Sequence, residues 1–219
     1  KCIKPDIYLK SFNMKIIHLF LLFIPFISYT QEVTEGSFDS NGFIEFNSSL
    51  GFSTITLKDN FKTNATIVEG VLSKEVLISK RFSIVPGIGI LKINTDFIDI
   101  EGNQSHLTND LIIIPFNLRY NTSTISDFMP YFEAGVYGSY LFKSVVEIER
   151  INKNDKENKL GGSIGLQATI GIQQIINEKF FFRLSFNTKG DIIQFNKNSK
   201  PNFKINELYA LQLGFGIRK

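Results

Sequence analysis

The sequence predicts an all-β fold, an eight-stranded antiparallel up-and-down transmembrane β-barrel. Apolar residues recur with a period of two over most of the 219-residue chain, which is typical of strands with one apolar face. Short turns alternate with longer polar loops, as they do in bacterial outer-membrane barrels. An apolar segment of the secretory type precedes the first strand. Together these three features predict a barrel that is exported and embedded in a membrane.

The segments before the barrel are expected to form no part of it. The first methionine is Met14, so residues 1–13 are expected to be an unstructured or wrongly assigned extension. Residues 14–30 combine Lys15 with an apolar run that is too short for the ~20 residues of a helical span, which predicts a signal peptide. Residues 31–41 are expected to be a short periplasmic segment, and residues 42–219 the barrel. An uncleaved anchor helix is the alternative for residues 14–30.

Composition and charge exclude several classes of protein. The single cysteine, Cys2, cannot form a disulfide within the chain, and 43% hydrophobic residues with 22 Phe argue against disorder. The net charge of +3 comes from residues 1–30, which hold four lysines and one aspartate. Of the 24 basic and 21 acidic residues, 20 of each remain after this segment. A neutral chain lacks the basic surface that binds nucleic acid, so no such partner is expected.

The first four strands are predicted at 42–57, 65–78, 81–95 and 108–120. Each has an apolar face opposite a polar one. The second strand is the weakest, because Lys74 lies on its apolar face near the strand end, where a lysine can reach polar surroundings. The apolar faces are Ile44, Phe46, Leu50 and Phe52; Val68, Leu72 and Val76; Phe82, Ile84, Ile88 and Ile90; and Ile112, Ile114, Phe116 and Leu118.

The last four strands are predicted at 130–148, 159–176, 179–194 and 204–218. The third of these, 179–194, places Phe180, Phe182 and Leu184 opposite Arg183 and Ser185. Tight turns are expected at 79–81 and 177–179 and an intermediate one at 121–129. Longer polar loops are expected at 58–64, 97–107, 149–158 and 195–203. This arrangement places the turns and both chain ends on the periplasmic side.

The polar face indicates which side of the wall meets lipid. From Gly161 to Gln173 it carries only small or uncharged residues, whereas a face exposed to water would carry several charges. Small residues suit the narrow interior of eight strands. Buried charges must be paired, and those at mid-strand positions of the polar faces balance: Glu45, Glu69, Glu75, Glu133 and Asp191 against Arg119, Lys143, Arg183, Lys189 and Arg218. The sequence therefore predicts a plugged polar lumen.

Two segments resemble the PorT-like outer-membrane β-barrel proteins. Residues 111–120, with Pro115 and Tyr120, are similar to that family's "IP-x-x-x-x-Y" strand, and residues 129–135 to its "PY-x-x-AG" strand. Residues 161–171 resemble its Gly-rich sixth strand and residues 206–218 its closing strand, although Lys219 replaces the aromatic residue that often ends such strands. The resemblance covers residues 42–219 and implies an eight-stranded outer-membrane barrel. One type of member is linked to the export of secreted proteins.

The expected function is that of a structural or interaction barrel in the cell outer membrane of a Gram-negative bacterium. Support of secretion and surface binding through the outer loops are its candidate tasks. The expected partners are outer-membrane lipids, lipopolysaccharide and proteins that contact the outer loops. A small pore and a soluble periplasmic carrier of the lipocalin type, with the apolar face inside, are the alternatives.

No enzyme is expected, and no catalytic, cofactor-binding or metal site. His106 is the only histidine after the signal segment, and Ser105 and Asp110 near it could supply a hydrolase site. Adjacent side chains on an extended segment point in opposite directions, however, which favours a solvated loop histidine. The charged run 152–159 is expected to be a solvated hairpin loop, with contact to lipopolysaccharide phosphates as its alternative. The glycine pairs at 87 and 89 and at 214 and 216 precede no helix, so they do not predict a phosphate loop.

Overall fold

The computed structural model describes residues 42–57, 62–98, 102, 104–122, 128–148, 153–177, 179–195 and 203–218. The predicted extension, signal peptide and periplasmic segment lie outside these residues and stay predictions. The described residues form nine strands: β1 (Phe43–Thr56), β2 (Lys62–Lys74), β3 (Val76–Leu77), β4 (Phe82–Ile98), β5 (Gln104–Asn121), β6 (Phe128–Ile148), β7 (Lys153–Ile175), β8 (Phe180–Phe195) and β9 (Lys204–Arg218). In this part of the chain there is no helix long and apolar enough to cross a membrane.

The strands close into one antiparallel barrel. Their order around the wall is β2-β1-β9-β8-β7-β6-β5-β4-β3, and β2 also pairs with β4. β2 and β3 occupy the same position in the wall and are separated only at Glu75, whose N–H donates to the Phe43 carbonyl at 2.7 Å. First and last strands pair along their whole length, from Phe43–Arg218 to Thr56–Lys204. The predicted eight-stranded up-and-down barrel is confirmed.

The strands extend further toward the loops than the sequence predicts. β6 has 21 residues and β7 has 23, whereas a tilted strand needs ~9–11 to cross a membrane. Residues 153–158 and 104–107, predicted as loop, are strand. The prediction is wrong here because these segments are polar on both faces, so they show no apolar period. Main-chain pairing continues nonetheless, from Asp110–Lys143 to Ser105–Ile148.

Across the turn half of the barrel, the apolar faces point outward. Leu50, Phe52 and Leu211 are among the most exposed apolar side chains, with 63–71% of their surface accessible. On β5 the outward apolar series runs from Ile112 to Tyr120. At ~3.3 Å per residue and ~40° of tilt these residues span about 20 Å, close to the ~25 Å apolar band of outer-membrane barrels. The prediction that the apolar face meets lipid and the polar face lines the lumen is therefore confirmed for the turn half.

At the end next to the loops, here called the loop end, the pattern inverts. Ile55, Ile93 and Leu111 point inward and are 0–2% exposed. Thr108 and Asp110, which flank β5 residues of the inner face, point outward with part of their surface accessible. Beyond the hydrocarbon the surroundings are aqueous, so apolar burial is available only inside the wall. The expectation of a polar lumen is wrong in this half.

Candidate functional site

The lumen at the turn end contains five charged side chains in direct contact, here called the ionic cluster: Glu45, Glu75, Arg119, Glu133 and Arg183. Arg119 lies at its centre and is 1% exposed. Its Nε donates to Glu133 Oε1 at 2.7 Å, its Nη1 to Glu75 Oε2 at 2.8 Å, and its Nη2 to Glu45 Oε1 at 2.7 Å. One guanidinium thus contacts carboxylates from three separate wall positions.

Arg183 completes the cluster from β8. It forms ion pairs with Glu45 and with Glu75, the latter at 3.0 Å, and its Nε donates to Gln173 Oε1 at 2.7 Å. Its guanidinium carbon lies 4.2 Å from the centroid of the Phe181 ring and 5.2 Å from that of Tyr131. The planar cation is therefore sandwiched between ion pairs and aromatic faces, an environment that suits arginine better than lysine.

The cluster has three carboxylates for two guanidinium groups, and neutral donors supply further hydrogen bonds. Ser83 Oγ donates to Glu75 Oε1 at 2.6 Å, and Asn117 Nδ2 donates to Glu133 Oε2 at 3.0 Å. Gln167 in turn donates to Asn117 Oδ1 at 2.5 Å. Buried charge is tolerated where pairing and hydrogen bonding are this extensive. The resulting network crosses the lumen and fills it.

Small residues of β7 and β9 make room for bulky neighbours. A Cβ at Gly165 would lie 2.5 Å from Cε1 of the Tyr137 ring, and one at Gly216 would overlap the Phe181 ring. Tyr137 and Phe181 are both 1% exposed. The prediction that the small polar-face residues reflect a crowded lumen is confirmed by these contacts.

A second polar network lies nearer the loops. Lys189 and Glu69 form an ion pair with side chains 2% exposed. The hydrogen bonds of Asp191 come from neutral donors: Oδ1 accepts from Tyr137 at 2.8 Å and from Ser163 at 2.6 Å, and Oδ2 accepts from the Ile205 N–H at 2.8 Å. The positive charge of Lys204 acts on this carboxylate without a direct hydrogen bond.

The predicted balance of five acidic and five basic lumen residues is only partly right. All five acidic residues are buried, and so are Arg119, Arg183 and Lys189. The side chain of Lys143 is 45% exposed and forms an ion pair with Asp110 at 3.4 Å on the outer face. The side chain of Arg218 lies outside the described residues. Assigning side chains to the inner or outer face by alternation fails for Lys143, because a bulge between Leu141 and Lys143 changes which residues of β6 face the lumen.

Toward the loops from the ionic cluster, and beside the second polar network, the lumen is filled by side chains here called the outer apolar cluster. They come from β1, β2, β4, β5, β6 and β9, and none is more than 7% exposed. Leu57 and Phe203 pack against them from the loop side. The members are Ile55, Ala65, Ile67, Val71, Leu91, Ile93, Leu111, Ile113, Leu141, Ile205, Leu208 and Ala210. In the sequence, the only sign of this cluster is the unbroken apolar run 111–114.

The structure does not bring the candidate hydrolase residues together. Ser105 faces the interior and is 4% exposed, while Asp110 pairs with Lys143. His106 lies in β5 rather than in a loop, and its Nδ1 lies 2.5 Å from Oδ1 of Asp96 on β4. Its Nε2 lies 3.3 Å from Thr108 Oγ1. The Asp96 contact could be found only from the strand register, in which the two residues are direct partners. The described residues contain no group of three or more potential metal ligands.

Comparison with known proteins agrees with this geometry. The model of the family described as "Outer membrane protein beta-barrel domain" matches residues 29–190. Neisserial surface protein A superposes with a TM-score of 0.53 at 10% identity, covering 81% of this chain and 97% of its own. OprG from Pseudomonas aeruginosa gives 0.55 at 16% identity, covering 82% and 96%. No curated protein sequence matches the chain. At these identities the two structures support the fold alone.

Proposed function

The chain belongs to the outer-membrane β-barrel domain family and is located in the outer membrane, and on this premise we propose that it is a non-conducting barrel that displays its loop end for binding. The filling of the lumen by the ionic cluster, the Lys189–Glu69 pair and the outer apolar cluster is the observation that carries the proposal. The ionic cluster lies at the turn end, and the Lys189–Glu69 pair and the outer apolar cluster lie side by side nearer the loops. An ion would have to displace both buried ion pairs and apolar packing to pass, so the small pore is the less favoured function.

The length of the strands supports display at the loop end. Toward the loops, β6 continues eight residues beyond the outward-facing Tyr140 and β7 eleven residues beyond Ile164, with main-chain pairing as far as Ile148–Lys153. Paired strands hold the loop-end residues of β6 and β7 in defined positions relative to each other. Surface binding is thus the task that the fold favours. Lipopolysaccharide, other outer-membrane lipids and proteins remain the expected partners.

Conductance in planar lipid bilayers tests the closed lumen. The purified protein is expected to insert without current steps, under conditions where a general porin in the same membrane gives them. Replacing both arginines of the ionic cluster by alanine is also expected to leave the bilayer silent, because the outer apolar cluster still blocks the path. Regular steps from the unmodified protein would exclude the proposal in favour of the small pore.

Labelling of intact cells tests the display of the loop end. In a Cys2→Ser background, Glu147→Cys at the exposed end of β6 is expected to react with a membrane-impermeant maleimide. Thr122→Cys, exposed at the turn end, is expected to react only after the cells are opened. Equal labelling of both cysteines in intact cells, or labelling of Thr122→Cys alone, would contradict the proposed orientation.

The finer assignment to the PorT-like proteins is part of this proposal. It is supported by the motifs in residues 111–120 and 129–135, which form β5 and the start of β6. If the assignment is right, deletion of the gene is expected to reduce the amount of secreted protein in the culture medium. Restoration by the unmodified gene is the control, and unchanged secretion in the deletion strain would remove support of secretion from the candidate tasks.

A further inference from the structure

Main-chain pairing between β8 and β9 ends before either strand does. The ladder runs from the turn end to the pair Lys189–Leu208. β8 continues to Phe195 through pairing with β7, and β9 begins at Lys204 through pairing with β1. Between the described residues of β8 and β9, no ladder pair exists beyond Lys189. The wall therefore divides here along a line, called the seam, between residues 190–195 and residues 203–207.

Two hydrogen bonds from side chains to the main chain hold the seam closed. Asp191 Oδ2 accepts from the Ile205 N–H at 2.8 Å, and Gln194 Nε2 donates to the Phe203 carbonyl. Each such bond contributes ~1 kcal/mol in net terms, or more where the acceptor is charged. When β9 moves away, Asp191 keeps its bonds to Tyr137 and Ser163. Opening the seam therefore breaks two hydrogen bonds and weakens the attraction between Asp191 and Lys204, but it breaks no ladder.

The β9 side of the seam leads into the outer apolar cluster. Ile205 and Leu208 belong to this cluster and are 0% exposed. Phe203 packs against the cluster at the loop side and is itself only partly buried. A molecule that enters through the seam thus meets the outer apolar cluster, and Phe203 is the first side chain that it contacts.

The outer surface is apolar on the β8 side of the seam, whereas the β9 side carries Asn206 and the exposed Glu207. On β8, Ile192, Ile193 and Phe195 have 50–54% of their surface exposed. Ile193 is the cross-strand partner of the lipid-facing Ile164. The lipid-facing surface therefore continues up to the seam on this side, whereas outward positions at the loop end of β5 carry His106 and Thr108.

A second place where the ladder stops has the opposite character. Pairing between β2 and β4 ends at Thr66–Asn94. Beyond it, Thr95 Oγ1 donates to the Asn64 carbonyl at 2.5 Å and lies 3.3 Å from Thr63 Oγ1. Hydroxyl groups seal this gap with polar contacts. An apolar chain that enters there would leave them unpaired, which is costly.

We propose that the seam between β8 and β9 admits an acyl chain of an outer-leaflet lipid into the outer apolar cluster. The chain displaces the Phe203 side chain and packs against Ile205 and Leu208, while the lipid headgroup stays outside. The proposal rests on the proposed function in one respect only: the ionic cluster below the outer apolar cluster stops the chain, so the lipid is held and not passed through.

A disulfide across the seam tests the proposal. Asp191 Oδ2 lies 2.8 Å from the Ile205 nitrogen and both side chains are buried, so Asp191→Cys with Ile205→Cys places two thiols across the seam in a Cys2→Ser background. Thr54 and Glu207 are direct partners in the intact β1–β9 ladder, and their cysteine pair is the matched control. The chain contains no tryptophan, so Leu141→Trp provides a single fluorescent reporter in the outer apolar cluster.

The reporter is read in phosphatidylcholine vesicles whose acyl chains carry bromine near mid-chain. With the seam reduced, quenching relative to unbrominated vesicles is expected to be about twofold stronger than with the disulfide formed, because the lock removes the state that accepts a chain. The control pair is expected to change nothing on oxidation. Phe203→Trp is a second reporter in case Leu141→Trp fails the SDS heat-shift assay for folding.

Equal quenching in the reduced and locked forms would overturn the proposal, and so would an equal effect of the control disulfide. Quenching by a brominated free fatty acid, but not by the brominated phospholipid, would exclude a membrane lipid as the source of the chain. The quenching experiment and the conductance recordings test different statements, so one can fail while the other succeeds. A conducting protein with a seam-dependent reporter would refute the closed lumen alone.

Discussion

Removal of the Arg119 charge is expected to be among the most damaging single substitutions in the barrel. The guanidinium donates to three carboxylates that are at most 9% exposed, over distances of 2.7–2.8 Å. In Arg119→Met, Glu45 and Glu75 keep Arg183 as their ion-pair partner, while Glu133 keeps only the hydrogen bond from Asn117. Breaking a buried ion pair by removing one partner costs ~3–5 kcal/mol. We expect a loss in this range, since repulsion among the three carboxylates is no longer compensated.

Urea unfolding of the protein in lipid vesicles, followed by the SDS heat shift, measures this loss. Lys92→Met, at an exposed outward position, is the matched control and is expected to change the unfolding free energy by less than ~1 kcal/mol. Glu133→Gln combined with Arg119→Met is expected to lose less than the sum of the single changes, by ~1–3 kcal/mol, because the two groups are in contact. Additive losses, or a single loss below ~1 kcal/mol, would refute the role given to the cluster.

Two further predictions concern the wall and the crowding inside it. On β5, Phe116→Arg within the lipid-facing band is expected to cost ~2–4 kcal/mol and Thr108→Arg at the loop end ~0–1 kcal/mol. Leu111→Arg, inward at the loop end, should be at least as costly as Phe116→Arg, and equal costs at all three positions in vesicle unfolding would contradict the inversion. Gly165→Val is expected to cost ~1–3 kcal/mol because its Cβ would meet the Tyr137 ring. Tyr137→Leu should recover part of this loss in the same assay, and no recovery would argue against that contact as the cause.

The fold could be predicted from the sequence because alternation is strongest where hydrocarbon surrounds the wall. In β8, Phe182, Leu184 and Phe186 face lipid while Arg183 and Ser185 face the lumen, and the structure keeps this division. Alternation along the strands also predicts that Glu45, Glu75 and Glu133 lie on the inner face. That all three contact Arg119, and that Glu45 and Glu75 also contact Arg183, could not be predicted, because contacts across the lumen depend on the strand register.

The loop end could not be predicted for a different physical reason. Apolar residues at 111–114 occupy both faces of β5, since Ile112 and Ile114 meet lipid while Leu111 and Ile113 meet the outer apolar cluster. Alternation with a period of two shows that the two faces of a strand differ. It does not show whether lipid, water or other side chains surround each face. Parity counting also fails after a bulge, and bulges occur near Leu141 and Thr54 at this end.

The change from polar to apolar filling and the end of the β8–β9 ladder have one physical origin. Within the membrane, lipid covers the outer apolar side chains, so the interior can be given over to paired charges and the wall must be closed by main-chain hydrogen bonds. At the outer edge of the apolar band, where the seam lies, water reaches main-chain groups that the ladder leaves free, and the outer apolar cluster holds the strands from within. Closure by hydrogen bonds is then no longer obligatory. The seam between residues 190–195 and 203–207 therefore lies where an apolar interior, and not a continuous ladder, keeps the two strands together.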